Sequence, residues 1–183
     1  MKVLLLNGSP RKGNTFSALK IIEKGIEENL KADIEFIDII KYEVNGCLAC
    51  DCCLLNNEKC INHNDDGQFL IDKLDEADVV IFGTPVYWWG VSAQLKAVID
   101  RMYMKRFREK RRYKQIGILA VGAATLDDEE YDLISRQFRC ICDYLEWDLV
   151  IDKSISAYEK TDLLKDEEAV KELKKVWKNI KLK

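Results

Sequence analysis

The stretch "KVLLLNGSPRKGNT", residues 2–15, decides the fold. Val3 to Leu6 is an apolar run without polar alternation, the pattern of a strand buried on both faces of a parallel sheet. Asn7 to Thr15 then supplies turn residues. Beyond them Phe16, Leu19, Ile22, Ile26 and Leu30 recur at the spacing of one helical face. A strand, a tight polar loop and an amphipathic helix form the βα unit of a doubly wound sheet, where the unpaired N–H groups at the helix start face ligands.

The same alternation continues outward. Apolar runs end near Ile40, Phe82, Val121 and Ile155, and between and after them apolar residues return at helical spacing. Leu70, Leu74 and Ala77 make one such face, and Val91, Leu95, Val98 and Met102 another. Ile134, Phe138, Ile141 and Leu145 make a third, and Val170, Leu173, Trp177 and Ile180 a fourth. The expected architecture is α/β: a flavodoxin-like, doubly wound, five-stranded parallel sheet with helices on both faces. Residues 1–183 read as a single domain, interrupted by a cysteine-rich loop insertion at about 41–65, which is long for a connection in a compact domain.

At 183 residues and 48% apolar, the chain can bury a core without disulfides. No apolar run approaches membrane-spanning length, and the one at the N-terminus is too short for a signal peptide, so a cytoplasmic protein without a membrane partner is expected. A net charge of −3 argues against a general nucleic-acid binder. The single histidine, His63, leaves little scope for Ser-His hydrolysis, and no G-x-S-x-G elbow is present.

In "NGSPRKGNT", residues 7–15, Gly8 and Gly13 permit tight turns, Ser9, Asn14 and Thr15 offer side-chain donors, and Arg11 carries a fork matching phosphate oxygens. The plain alternative is a capped turn with no ligand. Gly8-x4-Gly13-Asn14-Thr15 approaches a P-loop, but Asn14 stands where the triphosphate-binding lysine belongs. The third strand ends in Gly83-Thr84-Pro85 rather than a magnesium-binding aspartate, and no G-x-G-x-x-G occurs. A monophosphate remains, and flavin mononucleotide (FMN) is a common one on this architecture. After the third strand, "TPVYWWGVSAQLKAVIDR", residues 84–101, places Pro85, Val86, Tyr87, Trp88 and Trp89 at the sheet's carboxyl edge before Gly90 opens the next helix. Such a loop can stack a flat ring and offer backbone N–H groups to its polar rim, or simply plug the end of the core.

Together "GSPRKGNT", the compact cysteines and "TPVYWWGVSAQLKAVIDR" resemble the iron-sulfur flavoproteins and related NAD(P)H-dependent FMN reductases of the flavodoxin-like superfamily. The resemblance implies that Ser9, Arg11, Gly13, Asn14 and Thr15 bind the FMN phosphate. It assigns Pro85, Val86, Tyr87 and Trp88, with Gly90, to the isoalloxazine edge. It also implies a flavin-dependent oxidoreductase whose chemistry resides on the flavin, an NAD(P)H or ferredoxin-like electron donor, and a homodimer or homotetramer; the alternatives on the same fold are an FMN reductase-like flavoprotein without a cluster, a non-enzymatic electron carrier or a zinc-stabilised binding module.

Five of the seven cysteines fall in "GCLACDCCLLNNEKC", residues 46–60. Cys47-x2-Cys50-x2-Cys53-x6-Cys60 can wrap the corners of a [4Fe–4S] cluster, in a spacing that resembles the iron-sulfur flavoproteins and not the ferredoxin run. Cys52 is an extra thiol inside the motif. Zinc on Cys47, Cys50, Cys60 and His63 is one alternative, and free or dithiol-cycling cysteines are another. Cys140 and Cys142 read as bystanders on a helix. "KRFREKRRYK", residues 105–114, reads either as a solvated face or as a docking patch for a ferredoxin-like carrier or the phosphates of NADPH. Asp127, Asp128, Glu129 and Glu130 read as helix-start acids favoured by the dipole.

Overall fold

The computed structural model describes residues 1–57, 59–61, 64–105 and 112–182. Five strands, β1 (Lys2–Asn7), β2 (Asp33–Asp38), β3 (Val79–Pro85), β4 (Gln115–Gly122) and β5 (Asp148–Ser156), form one sheet in the order β2-β1-β3-β4-β5. Every pairing is parallel. Among the described residues six α-helices accompany them: α1 (Asn14–Asn29), α2 (Cys52–Leu55), α3 (Gly67–Glu76), α4 (Ala93–Arg101), α5 (Glu129–Leu145) and α6 (Glu167–Leu173).

The period-2 geometry of a strand explains the two cores. Leu4 and Leu6 of β1 and Val80 and Phe82 of β3 point to the face covered by α3, α4 and α5. Val3, Leu5, Val79 and Ile81 point to the opposite face, covered by α1, α6 and the C-terminal turn. Burying both faces is why these strands are apolar without alternation.

Three boundaries differ from the sequence reading. β2 ends at Asp38, and Ile39–Lys41 is a 3-10 turn that buries Ile39 while leaving Ile40 half exposed. Gly90 does not open α4: Ser92 does, its buried hydroxyl accepting the Leu95 amide at 3.3 Å in an N-cap. The last helix is two pieces, α6 and a 3-10 turn over Val176–Asn179, joined where the Lys174 carbonyl presses against Gly25 of α1. Leu173, Val176 and Ile180 nevertheless all face the core.

β1 and β3 lie side by side but feed helices on opposite faces, so the loops after them part at the carboxyl edge of the sheet. That parting is the crevice in which doubly wound sheets bind ligands.

Candidate functional site

The loop after β1 is braced before any ligand arrives. Asn7, buried at the strand end, donates from Nδ2 to Asp38 Oδ1 at 2.9 Å and accepts the Ser9 amide on Oδ1 at 3.2 Å. The Gly8 amide donates to the Gly83 carbonyl at 2.8 Å, and the Gly8 carbonyl accepts the Ser92 hydroxyl at 2.6 Å. A Cβ at Gly8 would lie 2.8 Å from Leu95 Cβ, so only glycine lets the loop sit this close to α4. Ser9, itself buried, donates its hydroxyl to the Arg11 carbonyl at 2.8 Å and accepts the Arg11 amide at 3.3 Å. Its hydroxyl therefore shapes the loop.

At the start of α1, Gly13 is the N-cap and provides no side-chain cap. Among the described residues the amides of Asn14, Thr15 and Phe16 have no acceptor, the unpaired set that makes a helix start attractive to an anion. Thr15 is buried at the same turn. Arg11 is exposed, and a Cβ placed at Gly13 would lie 3.6 Å from Arg11 Nε and 3.8 Å from Lys160 Cγ. Asn14 differs from its expected role as a side-chain phosphate donor. Its Nδ2 donates to the Glu159 carbonyl at 2.7 Å and its Oδ1 accepts the Leu163 amide at 3.3 Å, leaving the backbone amide for a ligand. This clamp brings the loop after β5, with Lys160, to the mouth of the crevice. Nothing in the sequence flags Lys160, which stands far along the chain from Gly13.

Across the crevice, Pro85 ends β3 and the Val86 amide donates to the Val121 carbonyl at 2.8 Å. Tyr87 and Gly90 exchange backbone hydrogen bonds at 2.9 and 3.1 Å, closing a two-residue turn on Trp88 (φ 49°) and Trp89 (φ 56°). Positive φ at both central residues is the pattern of a type I′ turn, which normally selects Asn-Gly. Here it holds up two indoles, Trp88 91% exposed and Trp89 53% exposed, with ring centroids 6.0 Å apart. Strained backbone of this kind persists where the surroundings hold it, and it clusters at ligand sites. Val86, Tyr87, Trp88, Trp89 and Glu130 line a cavity of about 460 Å³, a size that suits a flat aromatic ligand.

The cysteine loop leaves the fold through a clamped neck. The Glu43 amide donates to Asp66 Oδ2 at 2.8 Å, the Asp66 amide to the Glu43 carbonyl at 2.7 Å, and the Asn45 amide to Asp65 Oδ2 at 3.0 Å. Arg101 of α4 grips both sides, donating from Nη1 to Asp65 Oδ2 at 2.7 Å and to the Asn45 carbonyl at 3.2 Å. The ion pair is almost completely buried, with side chains 2% and 0% exposed. A Cβ at Gly67 would lie 2.7 Å from the guanidinium carbon, so glycine is needed for the pair to fit. Burial pushes the Asp65 carboxyl up, but the Arg101 hydrogen bond, the Asn45 and Gly67 amides and the Arg101 charge together hold it below 3.8.

Beyond the neck, Cys47 and Cys50 are exposed, and Cys52, Cys53 and Cys60 are half-buried. The Cys52 thiol turns onto the Cys50 carbonyl at 3.5 Å, and hydrogen bonds from the Cys52 backbone and thiol hold the Cys50 thiol below its ordinary value. Burial pushes the Cys53 thiol up, and the charges of Cys47, Cys60 and Cys50 add to the effect. Among the described residues, however, no three cysteine, histidine, aspartate or glutamate side chains are grouped so as to hold a metal ion. His63, the fourth ligand of the zinc alternative, lies outside the described residues. Cys142 is a buried core residue whose thiol burial pushes up to about 12, while Cys140 is exposed.

Arg106, Arg108, Lys110 and Arg111 lie outside the described residues, but Lys105, Arg112 and Lys114 are structural. Lys105 is buried beside Asp72 and Asp75 at 3.7 and 3.6 Å, and Arg112 pairs with Asp78 at 2.9 Å. Lys114, also buried, donates to the Asp75 and Ala77 carbonyls at 2.6 and 2.7 Å, closing the end of α3. These three cations are engaged by carboxylates and carbonyls of the fold.

A parallel sheet in this order, with an open helix start after β1 and an aromatic turn after β3, defines a flavodoxin-like protein. Residues 1–137 match the family described as NADPH-dependent FMN reductase, and the chain belongs to that family. An iron-sulfur flavoprotein of Methanocaldococcus jannaschii is 39% identical over 136 residues, covering 71% of this chain and 66% of its own. One of Archaeoglobus fulgidus is 37% identical over 106 residues, covering 58% of this chain and 51% of its own. The chain thus spans between half and two thirds of the length of these relatives. A Bacillus anthracis FMN-dependent NADH-azoreductase, solved in complex with FMN, superposes with a TM-score of 0.67 at 14% identity, covering 96% of this chain and 97% of its own. At that identity it shares the fold. No described helix is long and apolar enough to cross a membrane.

Proposed function

We propose that this chain is an FMN-dependent oxidoreductase fed by NAD(P)H. The observation that carries the reading is the start of α1, without a side-chain cap and beside the exposed Arg11, together with the aromatic cavity formed by the loop after the neighbouring strand β3. The residues fit the cofactor: the Asn14, Thr15 and Phe16 amides, the Thr15 hydroxyl and the Arg11 guanidinium would hold the phosphate. Ser9 and Gly13 would shape that loop, while Pro85, Val86, Tyr87, Trp88 and Gly90 would hold the ring edge. Bound FMN supplies the exchange of hydride or single electrons. The protein's part is to anchor the phosphate, orient the ring against the Tyr87–Gly90 turn and exclude water from its covered face.

The same reading gives Cys47, Cys50, Cys53 and Cys60 to a [4Fe–4S] cluster, with Cys52 outside the ligand set. Its support is the all-thiol donor set, the turning of Cys52 onto Cys50, and relatives named iron-sulfur flavoproteins. Among the described residues these thiols are not grouped so as to hold a metal ion.

Anaerobic purification tests both parts. The expected product is yellow, loses its flavin absorbance on addition of NADPH, and after reconstitution carries about four iron and four sulfide per chain. A colourless protein that takes up no FMN would overturn the functional reading. Zinc in place of iron would overturn the cluster alone.

The strained turn gives a second expected result. Replacing Trp88-Trp89 by Asn-Gly should stabilise the fold by about 1–3 kcal/mol, since αL geometry is costly for non-glycine residues. It should also weaken FMN binding by removing the indole surface. Urea midpoints and FMN titrations on one preparation check the opposing signs.

A further inference from the structure

Asn14 is the first residue of α1, and its buried side chain is given to a segment far along the chain. Nδ2 donates to the Glu159 carbonyl at 2.7 Å and Oδ1 accepts the Leu163 amide at 3.3 Å, so a single amide group clasps both ends of the turn between them. Leu163 is anchored as well, buried in the core with Ala18 and Leu19 of α1. Lys160 lies inside the clasped segment. Its Cγ is 3.8 Å from the point a Cβ on Gly13 would occupy, and Arg11 Nε is 3.6 Å from the same point. Two cationic side chains thus converge on Gly13, the N-cap residue of α1.

Positive charge is unfavourable there, because the N–H groups of a helix start are themselves partly positive and the first turn of α1 holds no acid to offset them. The carboxylate nearest in sequence on the far side of Lys160 is taken: Asp162 accepts the Glu159 amide on Oδ2 at 2.6 Å and Lys165 Nζ on Oδ1 at 2.9 Å. Lys12, the other cation of the loop, lies over the Phe16 ring at 5.6 Å. Among the described residues neither Arg11 nor Lys160 has a side-chain hydrogen bond or an ion pair. An anion at the helix start answers the two cations and the unpaired amides together. We propose that Lys160 supplies a second cation to the flavin phosphate and that Asn14 is the positioning residue that brings it there. The loop after β5 then forms a wall of the phosphate site. This rests on the FMN reading and adds to it a residue to which no flavin contact is otherwise assigned.

The test is fluorescence titration of the apoprotein with FMN and with riboflavin, which lacks the phosphate. Lys160→Ala is expected to weaken FMN binding by about three- to tenfold, to leave riboflavin binding unchanged and to flatten the salt dependence of FMN binding. Lys160→Arg, which keeps the charge, should restore the affinity for FMN. Asn14→Ala should lose the same share of the preference for FMN, and adding Lys160→Ala to it should cost little more, because the lysine no longer stands at the phosphate. Lys24→Ala, which removes an equal charge further along α1, should match wild type. Lys160 is exposed, so its variants are expected to melt as wild type does, and Asn14→Ser replaces Asn14→Ala if melts show the latter unfolded. A full preference for FMN in Lys160→Ala would overturn the inference while leaving the FMN reading intact. Additive losses in the double variant would overturn the role of Asn14. Wild type that binds the two flavins equally, or neither, would overturn the FMN reading itself.

Discussion

Arg101→Met is expected to destabilise the fold by about 3–5 kcal/mol, because it strands the Asp65 carboxylate in a site with no solvent exposure. For a chain of this size that corresponds to a melting temperature lower by roughly 6–20 °C. The pair also ties both sides of the loop neck, through Asp65 and the Asn45 carbonyl, to α4. The variant should therefore expose Cys53 and Cys60 to thiol reagents faster than wild type. The pH response supplies a second signature. In wild type the folded Asp65 titrates below 3.8, so its contribution is present above that value and is lost as pH falls through the lower, folded value. Without Arg101, burial dominates and raises the folded value, so the variant gains relative stability as pH falls toward 3.8. Denaturant melts from neutral to acid pH read both effects, and parallel curves for the two proteins would contradict the clamp.

Arg11→Ala is expected to weaken FMN binding by about 1.5–3 kcal/mol, or roughly 10–150-fold, with no change in melting temperature of the apoprotein. The separation follows from exposure: Arg11 is at the surface, and the loop is braced by Asn7, Gly8, Ser9 and Ser92 rather than by its guanidinium. Ser9→Ala should differ in kind, disturbing the loop and lowering both stability and affinity. Equilibrium titration with FMN, paired with thermal melts, distinguishes a ligand contact from a brace. Equal affinity of Arg11→Ala and wild type would remove Arg11 from the phosphate site.

The fold was legible because each local signal agreed with the next. Val3 to Leu6 and Val79 to Phe82 are apolar without alternation because helices cover both faces, and the helical faces of α1, α4 and α5 carry their apolar residues at the right spacing. What sequence missed were contacts set by tertiary placement. Asn14 looks like a phosphate donor from its neighbours, yet its side chain is spent on Glu159 and Leu163. Lys105 and Lys114 sit in a basic run that reads as a solvated face or a docking patch, but carboxylates and carbonyls of α3 and its end draw both into the interior. Glu130 is one acid among four in a row, and only the approach of α5 to Gly122 shows which of them turns inward. The Ser92 cap was hidden because Gly90 offered a more conspicuous helix start.

The central claim is that one crevice holds a phosphate on α1 and a flat ring against the Tyr87–Gly90 turn. Titration of the apoprotein with FMN and with riboflavin, which share the ring and differ in the phosphate, tests it most directly. The account predicts that FMN binds at least about tenfold more tightly, as a charge-assisted phosphate contact requires, and that Arg11→Ala narrows the gap. Equal affinity for the two flavins, or binding of neither, would contradict it.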